Sequence, residues 1–226
     1  MDVKTAKSRI SNFFAKFSKK VRANKKFNED EKYRKSISEI FRSLEIKKQR
    51  YAILGLGNDL KGDDGVGWYI IDKLSKEFGK DENLLLIKTS VPENHVREIK
   101  DFAPHLLIII DAADFKEKPG TIKYISEYNI SHSLISTHTT PLTLFLHLYQ
   151  SDQPVKKDVI IIGIQRKSNE FGQPLSRPVK RAGNILVDLI ASLYKRNMLS
   201  SLQEELENLT NPLKRIMKRK KKVIGF

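Results

Sequence analysis

Three short segments of this chain carry the residues best suited to chemistry. The first, Gly57-Asn58-Asp59-Leu60-Lys61-Gly62-Asp63-Asp64-Gly65, sets two adjacent carboxylates among glycines. The second, Asp111-Ala112-Ala113-Asp114, follows the apolar run Leu106–Ile110. A carboxylate at the end of such a run is costly to bury unless it is paired or metal-bound. The third, Ser136-Thr137-His138-Thr139-Thr140, places an imidazole among small hydroxyls. Taken singly, each has a commoner explanation, since Asp and Thr cap helices well. Taken together, two carboxylate positions and one imidazole form a donor set for a divalent first-row metal, with coordination positions left open. The chain has no cysteine. That excludes disulfides, thiolate metal sites, iron–sulfur clusters and a cysteine nucleophile.

These segments meet only if the fold brings them to one rim. Ala52-Ile53-Leu54, ending at Gly55 and Gly57, reads as a buried strand and tight turn. Val66, Ile70, Leu74 and Phe78 recur every four residues and stop at Gly79, which predicts a helix. Leu84–Thr89 is a second strand, and Val91-Pro92-Glu93 opens a helix with Val96, Ile99 and Phe102 on its apolar side. Leu106–Ile110 is a third strand, and Thr121–Ser126 a fourth after the turn Lys118-Pro119-Gly120. Thr140-Pro141 starts a helix through Leu142, Phe145, Leu146 and Tyr149, with Pro at the favoured first position. Val159–Ile164 is the last strand, and Val179, Ala182, Leu186, Leu189, Ile190 and Leu193 mark a closing helix. The order β-α-β-α-β-β-α-β-α predicts an α/β fold, a three-layer αβα arrangement with a mostly parallel twisted sheet. Ligands of such sheets sit outside the carboxyl ends of the strands, where all three segments fall. A dinucleotide does not suit the glycine loop. The spacing is not G-x-G-x-x-G, and Asp63-Asp64 would repel a pyrophosphate.

The 226 residues carry a formal net charge of +15. Residues 1–50 hold 16 Lys and Arg against 6 Asp and Glu, residues 195–226 hold 9 against 3, and residues 51–194 hold 17 against 18. The basicity thus belongs to two extensions around a neutral central region. The chain divides on this reading into a basic amphipathic helical extension (1–50), a central domain (51–195) and a basic C-terminal extension (196–226). In the first extension Ile10, Phe13, Phe14, Phe17 and Val21, and later Ile37, Ile40, Phe41 and Leu44, recur at helical spacing. The third has a short helix pattern over Leu199–Leu209 and then a run of lysines. No run approaches the ~18 apolar residues of a spanning helix, and the first residues lack a secretory apolar core. A cytoplasmic location is expected.

The central motifs resemble those of the [NiFe]-hydrogenase maturation endopeptidases. The resemblance rests on Gly55-Leu56-Gly57-Asn58, Gly62-Asp63-Asp64-Gly65-Val66-Gly67, Ser90-Val91-Pro92-Glu93-Asn94, Asp111-Ala112-Ala113-Asp114 with Pro119-Gly120, Ser136-Thr137-His138 with Pro141-Leu142, and Ile162-Gly163-Ile164-Gln165. It covers residues 51–193. The Pro-Glu-Asn segment is similar to the branch serving membrane-bound, hydrogen-evolving hydrogenases. The resemblance implies an endopeptidase that removes a C-terminal tail from the precursor of the hydrogenase large subunit after nickel insertion. It places nickel contacts on Asp64, Asp111 and His138, the nickel being the substrate's own. Gly57, Asn58, Asp63 and Thr137, on the same rim, are then expected to contact the substrate. It leaves the general base unassigned. The chain departs from the family after Gln165: the usual sequence after Ile-Gln contains proline, whereas here Arg166 follows.

Two other readings compete. A peptidyl-tRNA hydrolase shares the Gly-Leu-Gly-Asn turn, but no histidine follows here until His95. A metal-sensing assembly chaperone would use the same site without cleavage. His95, His105, His132 and His147 read as solvated or core residues, and Thr137, Thr139 and Thr140 as caps or supports for the site. The basic extensions suit an anionic membrane surface or the client complex. Nucleic acid is disfavoured, because the central region has no matching excess of positive charge.

Overall fold

Strand β1 (Tyr51–Leu56) is buried along its whole length, as a strand apolar on both faces must be. It occupies a near-central place in a five-stranded sheet. The computed structural model describes residues 50–125, 139–151 and 158–199. The chain divides into two units, 1–36 and 37–226, and every described residue lies in the second. The helices expected in 1–50 and over Leu199–Leu209 lie outside the described residues, apart from residue 199 itself.

Along the chain β1 is followed by a 3-10 turn (Gly62–Gly65), helix α1 (Val66–Phe78), strand β2 (Leu84–Thr89), a second 3-10 turn (Pro92–His95) and helix α2 (Val96–Phe102). Strands β3 (Leu106–Ala113) and β4 (Ile122–Ile125), helix α3 (Thr139–Gln150) and strand β5 (Asp158–Gln165) come next. Helix α4 spans residues 177–199. It passes the expected domain boundary at 195, and Asn197, buried near its end, donates to the Tyr51 hydroxyl. The strand order is β2-β1-β3-β5-β4. All neighbours are parallel except β4, which runs antiparallel to β5 on the edge. The short link from β3 to β4 holds no helix. A parallel return needs a crossover of a dozen or more residues, so β4 comes back antiparallel.

Alternation along the strands splits the apolar side chains between two cores. Tyr51, Ile53, Leu106, Ile108, Ile110, Ile160, Ile162 and Ile164 face α1 and α4, meeting Val66, Ile70 and Leu74 of the first and Leu186, Ile190 and Leu193 of the second. Ala52, Leu54, Leu56, Leu107, Ile109 and Ile161 face the other way, against Ile99 of α2 and Leu142, Phe145 and Tyr149 of α3. The result is the three-layer αβα arrangement. Each fully buried Leu, Ile or Phe contributes roughly 1.5–3 kcal/mol. Burial also pushes the Tyr149 hydroxyl up to about 12. Helix α3 begins at Thr139, two residues before Pro141, so the proline sits inside the first turn. That position still needs no intrahelical N–H partner. Among the described residues no helix is long and apolar enough to cross a membrane.

At one place helix and strand touch without side chains. A Cβ added to Gly55 would lie 2.4 Å from the carbonyl oxygen of Gly67, and one added to Gly67 would lie 2.2 Å from that of Leu56. The start of α1 therefore rests on β1 backbone to backbone. Helix propensity alone would make Gly67→Ala stabilising by up to about 1 kcal/mol. The contact predicts the opposite sign, a loss of about 1–3 kcal/mol through overpacking. Urea unfolding of the two proteins distinguishes these outcomes, and a gain in stability would contradict the packing described.

Candidate functional site

The loop after β1 turns sharply because Gly57 adopts φ 142°, and a Cβ there would lie 1.9 Å from the Asp64 carbonyl oxygen. Its N–H donates to the Thr89 carbonyl at 3.2 Å, carrying the β1–β2 pairing into the loop. Asn58 closes the bend. Its Oδ1 accepts from the Leu60 N–H at 2.9 Å, and its carbonyl accepts from the Lys61 N–H at 3.1 Å. The 3-10 turn Gly62–Gly65 then packs against β3 and buries both acidic side chains, Asp63 at 1% and Asp64 at 5% exposure.

The adjacent carboxylates do different work. Oδ2 of Asp63 accepts from the Lys167 N–H at 2.7 Å, the Ser168 N–H at 3.1 Å and the Ser176 hydroxyl at 3.0 Å. Its Oδ1 accepts from the Ser176 N–H at 2.6 Å. The Asp63 N–H in turn donates to the Ser168 carbonyl at 3.1 Å. Asp63 is expected to contact the substrate. Its carboxylate is engaged by the loop at 166–176. Asp64 occupies the same turn, one residue nearer α1.

Asp111 is fully buried inside β3, paired in register with Gly163 of β5. The strand expected to end at Ile110 continues to Ala113, because β5 runs beside it as far as Gln165. A Cβ on Gly67, three residues after Asp64, would lie 2.9 Å from the carbonyl oxygen of Ile110, the residue before Asp111. The turn bearing Asp64 and the strand bearing Asp111 are thus in direct contact at the carboxyl end of the sheet. His138 and Thr137 lie outside the described residues, immediately before α3. Among the described residues no three His, Asp or Glu side chains cluster as a metal site. The expected triad draws its third member, His138, from beyond them.

The segment after Asp111 is held by Gln165. Its Oε1 accepts from the Phe115 N–H at 2.6 Å and the Glu117 N–H at 3.3 Å, and its Nε2 donates to Asp114 Oδ1 at 3.3 Å. Asp114 also accepts from Lys116 Nζ at 2.8 Å and meets Arg166 at 3.5 Å. The Lys116 side chain, first among these partners, holds the Asp114 carboxyl well below the usual carboxylate range. Arg166 thereby joins this network.

Sequence reasoning missed the clamp around Asp63, because its partners lie 104 to 113 residues away and form no local pattern. It also gave Glu93 no role of its own. Oε2 of that residue is buried and, among the described residues, has no hydrogen-bond partner. Burying such an atom costs about 1–3 kcal/mol unless a bound molecule supplies a donor. The only signal was the Pro-Glu-Asn segment itself.

Comparison with known proteins supplies the context for this rim. The family model described as HycI, hydrogenase maturation protease, matches residues 68–193. The hydrogenase 3 maturation protease of Escherichia coli K12 is 30% identical over 145 residues, 64% of this chain and 86% of that protein. The crystal structure of a [NiFe] hydrogenase maturation protease HycI from Thermococcus kodakarensis superposes with a TM-score of 0.61 at 28% identity, covering 69% of this chain and 99% of the other. The solution structure of the endopeptidase HycI from Escherichia coli gives a TM-score of 0.52 at 30% identity, covering 61% and 86%.

The Asp114 network predicts an acid limb. A carboxyl depressed in the folded state contributes stability that is complete above its unfolded value and is lost as pH falls toward the folded one. With an ordinary value of 3.8, the loss begins as pH drops to about 4 and deepens below it. Asp114→Asn should flatten the fall of stability between about pH 4 and 2 relative to the wild type. Equal slopes in urea titrations across that range would remove the role given to this carboxylate.

Proposed function

The chain belongs to the hydrogenase maturation protease family, and from that premise we propose that this endopeptidase removes the C-terminal tail of a [NiFe]-hydrogenase large-subunit precursor after nickel insertion. The observation that carries the reading is the pair of buried carboxylates, Asp64 and Asp111, on two elements in contact at the carboxyl rim of the sheet. Oxygen donors with a following imidazole suit a borderline divalent ion better than a soft one. Asp64, Asp111 and His138 contact the nickel, which arrives as part of the substrate. Gly57, Asn58 and Thr137 line the approach of the peptide, and Asp63 shapes it through the loop at 166–176.

The chemistry follows from these positions. Nickel so held supplies Lewis-acid polarisation of a carbonyl or a water near the scissile bond. The protein's own part is selection and placement. The carboxylates carried by the turn and by the β3–β5 ladder serve as donors to the metal on this reading, so a precursor lacking nickel gains no binding from them. His138 and the two carboxylates are the proton acceptors at hand. The protein acts in the cytoplasm on this reading. Its basic extensions, 1–50 and 196–226, engage an anionic surface of the membrane or of the client complex, each Lys or Arg near a lipid surface contributing roughly 1 kcal/mol.

Mass spectrometry of nickel-loaded precursor incubated with the full-length protein tests the central reading. Asp64→Asn and Asp111→Asn conserve volume and should reduce tail removal at least ~100-fold while the fold persists, since each removes a charge donated to the metal. His138→Ala should do the same. Processing by any of the three at the wild-type rate would defeat its assignment, and an intact precursor with wild-type protein would favour the chaperone reading. A protein beginning at Lys48 tests the extension. It should lose co-sedimentation with anionic vesicles or affinity for the precursor at low salt, and retention of both would show that the extension is not a docking element.

A further inference from the structure

The loop at 166–176 is irregular, yet it is fastened at several points. Both Asp63 oxygens hold it, through the amides of Lys167, Ser168 and Ser176 and the Ser176 hydroxyl. The Gly172 N–H adds a bond to the Leu60 carbonyl at 2.8 Å. A Cβ on Gly62 would lie 3.3 Å from the Ser168 carbonyl oxygen and 3.4 Å from that of Glu170, so the loop rests directly on the turn. Its buried anchor is a charge, which a protein retains inside only when its hydrogen bonds are filled.

The clamp holds two large apolar residues out in water. Leu60 is 55% exposed and Phe171 is 75% exposed, the highest value among the described large hydrophobic residues. The Gly172 N–H, next in the chain after Phe171, donates to the Leu60 carbonyl and so brings the two backbone segments together. Leaving a Leu or Phe in solvent forgoes the stabilisation that burial would give. Apolar side chains presented together on a fixed frame mark contact surfaces, and aromatic residues are frequent anchors there. Continuity decides the occupant. Leu60 lies between Asn58 and Asp64 in the loop that forms the rim, and Phe171 is tied to the same turn through Asp63. A chain that brings its end to the turn bearing Asp64 therefore comes to the loops that carry both residues.

We propose that Leu60 and Phe171 form a docking lip for an apolar side chain of the precursor beside its cleavage point, with Asp63 as the positioning residue that keeps the lip in place. The inference rests on the reading of the preceding subsection, and its test separates the two. Calorimetric titration of the nickel-loaded precursor into full-length protein gives a Kd for wild type, Leu60→Ser, Phe171→Ser, Phe171→Leu and Asp63→Asn, with tail removal followed in parallel. Both side chains are exposed, so the serine variants should keep the wild-type melting temperature. Each serine variant should weaken binding about tenfold, or ~1.4 kcal/mol, with turnover recovering at saturating precursor, and Phe171→Leu should restore most of the affinity. Asp63→Asn should weaken binding in the same way and speed hydrogen exchange at the Lys167, Ser168 and Ser176 amides. Serine variants that bind as wild type does, or that lose turnover at saturation with unchanged Kd, would overturn the lip. Wild-type binding that depends on the lip but yields no cleavage would leave the lip standing and overturn the hydrolytic reading instead.

Discussion

The site depends on a contact made almost entirely of backbone. The beginning of α1 lies against β1 at Gly55 and Gly67, and its Gly67 also approaches the carbonyl of Ile110 in β3. Any side chain at Gly55 or Gly67 would push the helix outward. Since the 3-10 turn Gly62–Gly65 leads straight into α1, such a shift would carry Asp64 away from the strand that bears Asp111. The approach is also what makes the turn at Gly57 necessary, since the chain must reverse within a space where even one methyl would strike the Asp64 carbonyl. Two negative side chains are therefore brought to one rim by residues that have no chemistry of their own.

Around this contact the packing is conventional, and it keeps the rim rigid. Alternate residues of the central strands feed two separate cores, one under α1 and α4 and one under α2 and α3. Apart from tyrosine hydroxyls the two cores are apolar, and the buried carboxylates Asp63, Asp64 and Asp111 lie toward the carboxyl end. There Asp63 and Gln165 are each held by several bonds. Asp63 fastens the loop at 166–176, and Gln165 fastens the segment after Asp111. Networks filled in this way cost little and fix geometry, whereas partly filled ones would be a liability. Glu93 departs from this with one buried oxygen unmatched, as do Trp68 Nε1 and the Tyr194 hydroxyl among the described residues.

Much of this was legible in the sequence, and the exceptions have physical causes. Strands such as Leu84–Thr89 and helices such as Val66–Phe78 announce themselves through periodicity and a terminal glycine. The antiparallel direction of β4 did not, because four residues carry no mark of direction; the length of its link does. The end of β3 was misplaced because Asp111 breaks the apolar run while the hydrogen-bonded ladder continues past it. The division of labour between Asp63 and Asp64 was hidden for a deeper reason. Identical neighbours differ only in what meets them, and the partners of Asp63 lie more than a hundred residues away. The positions of Thr137 and His138 lie outside the described residues, and their part in the site stands on the motif alone.

The claim at the centre of this account is that the protein recognises its substrate by adding its own oxygen and nitrogen donors to the substrate's nickel. X-ray absorption at the nickel edge measures this directly, on the loaded precursor alone and on its complex with the full-length protein held before cleavage. The account predicts additional light-atom donors around nickel in the complex, reduced when Asp111→Asn replaces the wild type. An unchanged nickel environment on forming a tight complex would contradict it.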